Sequence, residues 1–430
     1  AFFLIKNKFE KKIEKLIKKN SKKKAFVLTS QLRVGFLLLL KYLKYKYPQK
    51  NEIIFLPYNL AEMINVAKNL NFKPIFSNLN YDSGFYDFRY LKKNIKKNTL
   101  ALVLTNMFNS YEDTIKIKKF CKKNKIILIE DNAIYFDNFK IKKNNKIYTG
   151  RFGDYSLYSF NIMKNISALY GGGVSTNDIK FIKFCKTEKL NYSNFPLFLY
   201  IKQNLIYFFL KIISVNFIYK KFFFKMSIFN NPKKEFFINK IISVNFIYKK
   251  FFFMIVKYAH LKKNLFLLKL FYPSLKFEKK KLPKYYFSNI VNLSKKLIYL
   301  QLINKKYRLE NHKIRKNKNL LYYNQFKKLK IKQIKMILIK DFNFQNFMDF
   351  PILVKDKYKL NKFLLTKGIE LKSIYYVNCS KFFKMNNKFS NAEKYEKKIL
   401  CLPNHKKIKK EYIIFIVNSI DEFSRDYLNV

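Results

Sequence analysis

One lysine in the sequence has a chemical setting unlike that of most others. Lys164 follows the aromatic and apolar stretch YSLYSFNIM (155–163) and precedes three consecutive glycines at 171–173. Most other lysines stand in charged runs such as KKNIKK. In an apolar pocket, or beside another cation, a lysine loses its proton more easily, and the neutral amine attacks carbonyl groups. The setting of Lys164 therefore predicts a nucleophilic amine.

The glycines of the chain are concentrated around this lysine. The chain contains only eight glycines, and five of them lie between positions 150 and 173, at Gly150, Gly153, Gly171, Gly172 and Gly173. Glycine is required where the backbone turns tightly or comes close to another group. A flexible loop tip is the alternative, but apolar residues flank the cluster. We therefore expect a close backbone approach beside Lys164.

Pyridoxal phosphate is a cofactor whose needs these residues match. It forms a Schiff base with a lysine and needs a carboxylate opposite its ring nitrogen. Its phosphate is best held by amides and hydroxyls at the N-terminus of a helix. Asp131, at the end of the apolar run IILIE, suits the ring nitrogen. Ser30 and Gln31, where a helix is predicted to begin, and Ser159 suit the phosphate.

The elements that must position these residues alternate between strand and helix. Short apolar runs predict strands at 52–57, 73–78, 100–105 and 125–131, and apolar periodicity predicts helices at 60–70 and 111–124. The N-terminal residues predict a further amphipathic helix. Alternation of this kind predicts an α/β fold with a parallel sheet covered on both faces. Ligands of such sheets bind at the carboxyl ends of the strands, where Asp131 is expected.

The predicted large cofactor-binding domain, 1–282, contains an aromatic and hydrophobic insertion at about 195–275. Within it, KIISVNFIYKKFFF occurs twice, at 211–224 and 240–253, which indicates a local duplication. Lysines interrupt the apolar residues, so no run reaches the ~18 residues that a transmembrane helix needs. Two readings remain open for this insertion, namely peripheral contact with a membrane surface and a buried helical segment.

Residues 283–430 predict a smaller C-terminal α/β domain. The pattern over 285–326 predicts one long amphipathic helix. After it, we expect a strand at 348–354 and helices at 359–372 and 411–423.

The net charge of +62 does not by itself define a partner. Lys, Asn, Ile, Phe and Tyr are all abundant, as in proteins of AT-rich genomes, and this favours a mutational origin of the charge over selection for a polyanion. Nucleic acid is therefore not an expected partner. The four cysteines are far apart and there are three histidines, which disfavours disulfides and a metal site. We expect a cytoplasmic protein.

From residue 25 to the C-terminus, the motifs resemble those of the DegT/DnrJ/EryC1/StrS family of pyridoxal-phosphate-dependent sugar aminotransferases. NEIIFLPYNLAEMINVAKNLNFKPIF is similar to the family segment that runs from GDEVIVP to GAKPVF. IILIEDNA is similar to VIEDAAQ, and GRFGDYSLYSFNIMKNISALYGGGVSTND to GSFGD…SFxxxKxL…GGGxxxTND. The order SF, Lys, triple Gly and TND is the most specific part of this resemblance.

The resemblance implies the fold-type-I aminotransferase architecture and an amino transfer, usually from glutamate, to a nucleotide-linked keto-sugar. The reaction feeds cell-surface polysaccharide or lipopolysaccharide synthesis. It also implies roles for the site residues: Lys164 carries the Schiff base and moves protons, Asp131 pairs with the ring nitrogen, and Ser159, Ser30 and Gln31 hold the phosphate. Because two subunits share each active site in the family, a homodimer is implied.

Several positions depart from the family pattern. The glutamine expected three residues after Asp131 is Ile134, and the HxxG turn has Asn106 and Asn109 in place of His and Gly. TSQLR lacks the glycine of the usual phosphate turn. For the aromatic residue that stacks on the cofactor ring we choose Tyr58, with Leu60 as the alternative.

Two other functions remain open at this stage. The chain could be a non-catalytic descendant that binds an anionic membrane or polyanion through its lysines. It could also be a related pyridoxal phosphate enzyme, such as a dehydratase, although histidine in place of Lys164 would be typical of that branch.

Overall fold

The computed structural model describes residues 2–161, 164–201, 204–205, 281–331, 333–369, 371, 376–385 and 389–426. Both copies of the duplicated segment, and most of the predicted insertion, lie outside the described residues. Of the segment predicted to contact a membrane, the structure describes only residues 195–201 and 204–205.

The large domain is built on short strands that follow the apolar runs of the sequence. They are β1 (Ala25–Thr29), β2 (Glu52–Phe55), β3 (Tyr58–Asn59), β4 (Lys73–Phe76), β5 (Thr99–Thr105), β6 (Ile127–Asp131), β7 (Phe139–Lys142), β8 (Asn145–Tyr148), β9 (Tyr155–Ser159) and β10 (Gly172–Thr176). Seven of them form one sheet in the order β1-β10-β9-β6-β5-β2-β4. Strand β10 is antiparallel to both neighbours, and the other pairs are parallel. The predicted mostly parallel α/β sheet is confirmed, as are the strands at β2, β4, β5 and β6.

Helices cover this sheet. The helices up to the insertion are α1 (Phe2–Ser21), α2 (Leu32–Lys46), α3 (Ala61–Asn69), α4 (Phe88–Lys93), α5 (Tyr111–Lys123) and α6 (Ile179–Leu190). Every residue of β5 is buried, which requires cover on both faces and explains its continuous apolar sequence. Helix α5 begins at a capping box, in which Ser110 and Asp113 satisfy each other's backbone N–H groups.

The two ends of the predicted insertion lie side by side. Strand β11 (Ser193–Asn194) pairs in parallel with β12 (Ser288–Asn289), and Ser193 is the partner of Ser288. The chain therefore leaves the large domain and returns to it at one place, as expected of an insertion in a loop.

The prediction of a single long helix over 285–326 is wrong, because the structure has two helices there. Helix α7 (Asn292–Ile303) ends before Asn304, and helix α8 (Lys305–Leu329) begins after it. The Asn304 side chain accepts a hydrogen bond from the backbone N–H of Tyr307 at 3.1 Å. Asparagine is a favoured N-cap, because its side chain satisfies an N–H group that lacks a partner in the first turn. The cap begins a new helix although the apolar periodicity continues.

The C-terminal part forms a smaller α/β unit. It contains β13 (Ile334–Met336), β14 (Phe350–Val354), α9 (Lys357–Thr366), β15 (Val377–Asn378), α10 (Cys379–Phe382), α11 (Ser390–Lys398), β16 (Ile399–Leu402) and α12 (Lys410–Asp426). Strands β13, β14 and β16 form an antiparallel sheet. Helix α7, although it follows residue 283, packs with α1 in a cluster that includes Ile13, Phe160 and Ile298. The boundary at 282/283 stays a prediction.

Within the described part of the chain, no helix is both long and apolar enough to cross a membrane.

Candidate active site

The predicted site residues converge on one edge of the central sheet. Asp131 is the last residue of β6 and is aligned with Leu157 of β9, two residues before Ser159. Ser159 pairs with Gly172, and Gly172 pairs with Thr29, the last residue of β1. Because β10 runs antiparallel, its first residue lies at the carboxyl ends of the parallel strands. The ends of four strands, β1, β10, β9 and β6, thus meet at the edge where ligands of such sheets bind.

Asp131 is a buried carboxyl at this edge. One of its oxygens accepts a hydrogen bond from the backbone N–H of Ala133 at 2.9 Å. Burial raises the pKa of Asp131 to about 6, while the Ala133 N–H and the charge of Lys164 act in the opposite direction. The two predicted residues are therefore close enough to interact electrostatically. A buried carboxyl of this kind gains from a cationic partner.

Lys164 lies in the loop that joins β9 to β10 and is half-buried. The loop is closed at its base, where the N–H of Phe160 donates to the carbonyl of Gly171 at 2.9 Å. Helix α7 holds its second half: the Gln301 side chain exchanges two hydrogen bonds with the backbone of Ser167, at 3.0 and 2.8 Å. The lysine is therefore presented by a loop whose shape another helix supports.

Ser30 and Gln31 lie between β1 and the first residue of α2. Both side chains are buried, and Ser30 Oγ and Gln31 Oε1 have no hydrogen-bond partner among the described residues. Buried polar atoms without a partner are costly, and a bound ligand or an ordered water satisfies them. Helix α2 has 15 residues and carries a partial positive charge at this end.

The glycine cluster makes this approach of α2 to the sheet feasible. A Cβ on Gly172 would lie only 2.1 Å from the backbone nitrogen of Leu32. The predicted close backbone approach is thus confirmed at Gly172, while Gly171, with a φ of +155°, has a backbone conformation that residues with a side chain rarely adopt. Together, the helix N-terminus, the unsatisfied Ser30 hydroxyl, the NH₂ group of Gln31 and the nearby Ser159 hydroxyl are donors that fit a phosphate group, and Asp131 fits a protonated ring nitrogen.

Glu130 is a site residue that the sequence reasoning missed. This fully buried carboxylate accepts hydrogen bonds from the backbone N–H groups of Gly150, Phe152 and Gly153 at 2.8, 3.0 and 3.0 Å. It thereby fixes the loop that leads into β9. A charged residue inside an otherwise apolar strand was the signal that could have identified it.

The departures from the family pattern have defined places in the structure. Asn106 donates to Glu130 at 3.0 Å and to Asn132 at 2.7 Å, and Asn109 donates to Asn106 at 2.7 Å. The two asparagines thus form a buried polar network behind Asp131. Ile134 packs against the hydrophobic core.

Tyr58 lies where the large domain meets the C-terminal unit. Strand β3 pairs with β15, and the Tyr58 ring packs edge-on against Tyr376 and tilted against Tyr395, with centroid distances of 5.8 and 5.7 Å. Its hydroxyl is buried without a partner among the described residues. Leu60 is half-buried at the start of α3. The stacking role of Tyr58 stays a prediction.

In the described part of the chain, no group of three or more His, Cys, Asp or Glu side chains is placed to hold a metal ion.

Comparisons with known proteins agree with this geometry. The model of the DegT/DnrJ/EryC1/StrS aminotransferase family matches residues 3–192 and 300–421. A curated relative, UDP-4-amino-4,6-dideoxy-N-acetyl-beta-L-altrosamine transaminase of Helicobacter pylori, is 28% identical over 130 residues. That alignment spans 30% of this chain and 33% of the relative.

Solved structures match over nearly the whole chain. H. pylori PseC, an aminotransferase involved in pseudoaminic acid biosynthesis, superposes with a TM-score of 0.63 at 17% identity, covering 98% of this chain and 92% of its own. The E. coli GDP-4-keto-6-deoxy-D-mannose-3-dehydratase, with bound hydrated PLP, gives 0.64 at 16% identity, covering 96% and 91%. At such identities the likeness shows the fold, and the predicted fold-type-I architecture is confirmed. The resemblance read from the motifs is confirmed as well, because the family model covers most of the sequence: the chain belongs to the DegT/DnrJ/EryC1/StrS aminotransferase family.

Proposed function

We propose that this protein is a pyridoxal-phosphate-dependent aminotransferase that transfers an amino group to a nucleotide-linked keto-sugar. The observation that carries the proposal is the placement of Lys164 and the buried Asp131 at one edge of the sheet, near enough for the lysine charge to lower the Asp131 pKa against the effect of burial. An amine and a carboxyl at one strand edge are the two groups that this cofactor needs from a protein.

The chemical types of these residues and their shared edge of the sheet support this cofactor. Bound pyridoxal phosphate supplies an aldehyde that takes up amino groups and a protonated ring that withdraws electrons. Asp131, once ionised, holds the proton on the ring nitrogen. The Ser30 and Ser159 hydroxyls, the NH₂ group of the Gln31 side chain and the N-terminal N–H groups of α2 would donate hydrogen bonds to the phosphate and fix its orientation. Lys164 Nζ would hold the cofactor and, once released from it, would take up and return a proton as a general base.

The substrate class follows from the family and its named members. The curated relative is a transaminase named for a UDP-linked amino sugar. We propose a keto-sugar nucleotide as acceptor and glutamate as donor, in the synthesis of a cell-surface polysaccharide or lipopolysaccharide. Incubation of the loaded protein with glutamate and a panel of UDP-, GDP- and dTDP-linked keto-sugars, followed by mass spectrometry, identifies the aminated product. A product that has lost a hydroxyl without gaining nitrogen would instead indicate a dehydratase.

We further propose a cytoplasmic homodimer that contacts the inner membrane face through part of 195–275. All four cysteines are free and buried, as in a reducing compartment. Leu197, Phe198 and Leu205 are 67, 66 and 50% exposed at the start of the insertion. Sedimentation analysis of the full chain tests the dimer, and co-sedimentation with vesicles of anionic lipid, compared with a Phe198→Ser variant, tests the contact.

Spectroscopy and peptide labelling test the assignment of Lys164 as the lysine that binds the cofactor. Purified protein is loaded with pyridoxal phosphate and treated with borohydride, and the labelled peptide is identified by mass spectrometry. We expect a visible absorbance band and label on Lys164, neither of which forms in Lys164→Ala. Lys140→Ala, which removes a lysine of the same domain that pairs with Asp341 at 3.0 Å, is the matched control and should load normally. Label on other lysines, or equal labelling of Lys164→Ala, would remove the catalytic assignment.

A further inference from the structure

The residue that follows Lys164 joins two parts of the chain. Asn165 accepts a hydrogen bond from the Arg315 guanidinium at 2.7 Å. The same side chain donates through Nδ2 to the carbonyl of Phe136, which lies five residues after Asp131. Asn165 thus bridges the lysine loop, the segment after Asp131 and helix α8.

Helix α8 contacts the same segment a second time. Arg308, seven residues before Arg315 and hence on the same helix face, donates to a carboxylate oxygen of Asp137 at 2.6 Å. Asp137 follows Phe136 directly. Two arginines of one helix therefore fix the segment after Asp131, one through Asp137 and the other through Asn165.

The position of Arg315 deprives its guanidinium of part of its hydration. Burial lowers the pKa of its guanidinium, and Asp349 and Asp137 only partly compensate. In the described part of the chain no carboxylate forms a salt bridge with it, and its hydrogen bond goes to a neutral amide instead. Arg315 is half-buried, and no ion pair within the described residues recovers the hydration that its guanidinium loses, so its position points to a role beyond stability.

We propose that Arg315, acting through Asn165, is a positioning residue that aims Lys164 towards Asp131; this inference rests on the proposed role of Lys164. Hydrogen bonds to a charged donor are strong and directional, so the link restricts the backbone next to the reacting amine. Preorganisation of this kind matters because small displacements of a reacting group cost large factors in rate. The other half of the loop, at Ser167, is fixed independently by Gln301.

A double-mutant cycle tests the link with cofactor loading as the readout. The cofactor-free protein is mixed with pyridoxal phosphate, and the rate of appearance of the lysine-linked visible band is measured for wild type, Asn165→Ala, Arg315→Met and the double variant. Loss of one charge-assisted hydrogen bond corresponds to a loading rate about tenfold lower in each single variant. Because both changes break the same link, the double variant should be no slower than either single variant.

Lys318→Met is the matched control. It removes one positive charge from α8 three residues after Arg315, along with hydrogen bonds from Nζ to the carbonyls of His405 and Lys406 at 2.7 and 3.1 Å. It should load at the wild-type rate. The pH midpoint of the visible band is the second readout: it should rise in Arg315→Met, where a cation near the lysine is lost, and stay unchanged in Lys318→Met.

Three outcomes separate this inference from the proposed function. Wild-type rates and midpoints in Asn165→Ala and Arg315→Met, with normal loading of the wild type, would overturn the positioning role alone. Additive losses in the double variant would also overturn it, because they indicate two independent structural effects. If the wild type gives no band that depends on Lys164, the proposed function fails first. Should Arg315→Met not fold, Asn165→Ala decides, since it changes only a half-buried loop side chain.

Discussion

Gly172 and Leu32 approach each other so closely that no side chain fits between them. A Cβ on Gly172 would lie 2.1 Å from the Leu32 nitrogen and 2.6 Å from its Cα. Because both of these are backbone atoms, the contact cannot be relieved by a side-chain rotation. The first residue of β10 and the first turn of α2 thus form one rigid wall of the candidate phosphate site.

We expect Gly172→Ala to weaken cofactor binding more than any other single methyl addition in the glycine cluster. The added carbon must push α2 away from the sheet, and the cost of such overpacking is typically about 1–3 kcal/mol. Equilibrium dialysis against pyridoxal phosphate measures the loss of affinity. The helix N-terminus would be displaced from Ser159, so free inorganic phosphate should also compete less well.

Gly368→Ala serves as the control for this prediction. It also adds a methyl group, at a glycine with a φ of +75° in the C-terminal unit, and should lower stability without changing cofactor affinity. Equal affinity losses in both variants would contradict a specific role of the Gly172 contact.

The elements of the site were predictable because their signals are local. Asp131 and Ser159 end apolar strand runs, and Ser30 and Gln31 precede a helix, so their place at one edge follows from the α/β pattern. Gly172 was predictable because glycine is scarce in this chain. These inferences needed neighbouring residues and no knowledge of distant contacts.

The parts that could not be predicted depend on distant partners. Asn165 and Arg315 are 150 residues apart, and the insertion lies between them, so nothing local links the two. Glu130 itself stands out as a charged residue in an apolar strand, but its partners are backbone N–H groups, which carry no residue-specific signal in the sequence. The end of α7 at Ile303 was missed because the cap at Asn304 interrupts the helix while the apolar periodicity runs on.

Glu130→Gln should destabilise the protein by roughly 2–4 kcal/mol, because a carboxylate accepts on both oxygens and an amide on only one. In either orientation, the introduced NH₂ group would face backbone N–H donors, namely that of Gly150 or those of Phe152 and Gly153. Urea denaturation of the cofactor-free protein measures this change. Glu112→Gln, at a 46%-exposed glutamate, is the control and should stay near wild type. A loss below 1 kcal/mol in Glu130→Gln would show that the loop relaxes around the amide.

Asp131→Asn should stabilise the cofactor-free protein at pH 8 while abolishing tight binding of pyridoxal phosphate. Burial raises the pKa of Asp131 from 3.8 to about 6, so the folded state holds a proton that the unfolded state releases. Wild-type stability therefore falls as the pH rises from about 4 to 6. At ~1.4 kcal/mol per pKa unit, the loss is about 3 kcal/mol above pH 6. An asparagine at this position cannot ionise, so it avoids this loss of stability. Its side-chain oxygen can still accept the hydrogen bond from the Ala133 N–H.

Chemical denaturation at pH 5 and pH 8 checks this prediction, with Asp82→Asn as the exposed control. The gain in the free energy of unfolding of Asp131→Asn over wild type should be larger at pH 8 than at pH 5. An advantage that does not change with pH would mean that Asp131 is ionised in both states and that the lysine charge outweighs burial.

His312 should give the opposite pH dependence. Its ring stacks on Phe139 at a centroid distance of 4.7 Å, and its Nε2 lies 3.2 Å from the carbonyl oxygen of Asn343. Burial lowers the pKa of His312 from 6.5 to about 4, so the unfolded state takes up a proton that the folded state excludes. Stability is therefore complete above pH 6.5 and is lost as the pH falls towards 4, by about 3 kcal/mol at ~1.4 kcal/mol per pKa unit.

The contributions of His312 and Asp131 nearly cancel in the wild type between pH 4 and 6, and single variants should separate them. His312→Gln keeps a side-chain N–H for Asn343 but cannot titrate, so its stability should fall as the pH rises through this range, because the Asp131 contribution then acts alone. Asp131→Asn should show the reverse slope, and the double variant should be nearly flat. Urea midpoints at pH 4, 5, 6 and 7 give the three curves. A sloping double variant would mean that other groups dominate the acid response, and parallel curves for the two single variants would refute the pKa shift of at least one of them.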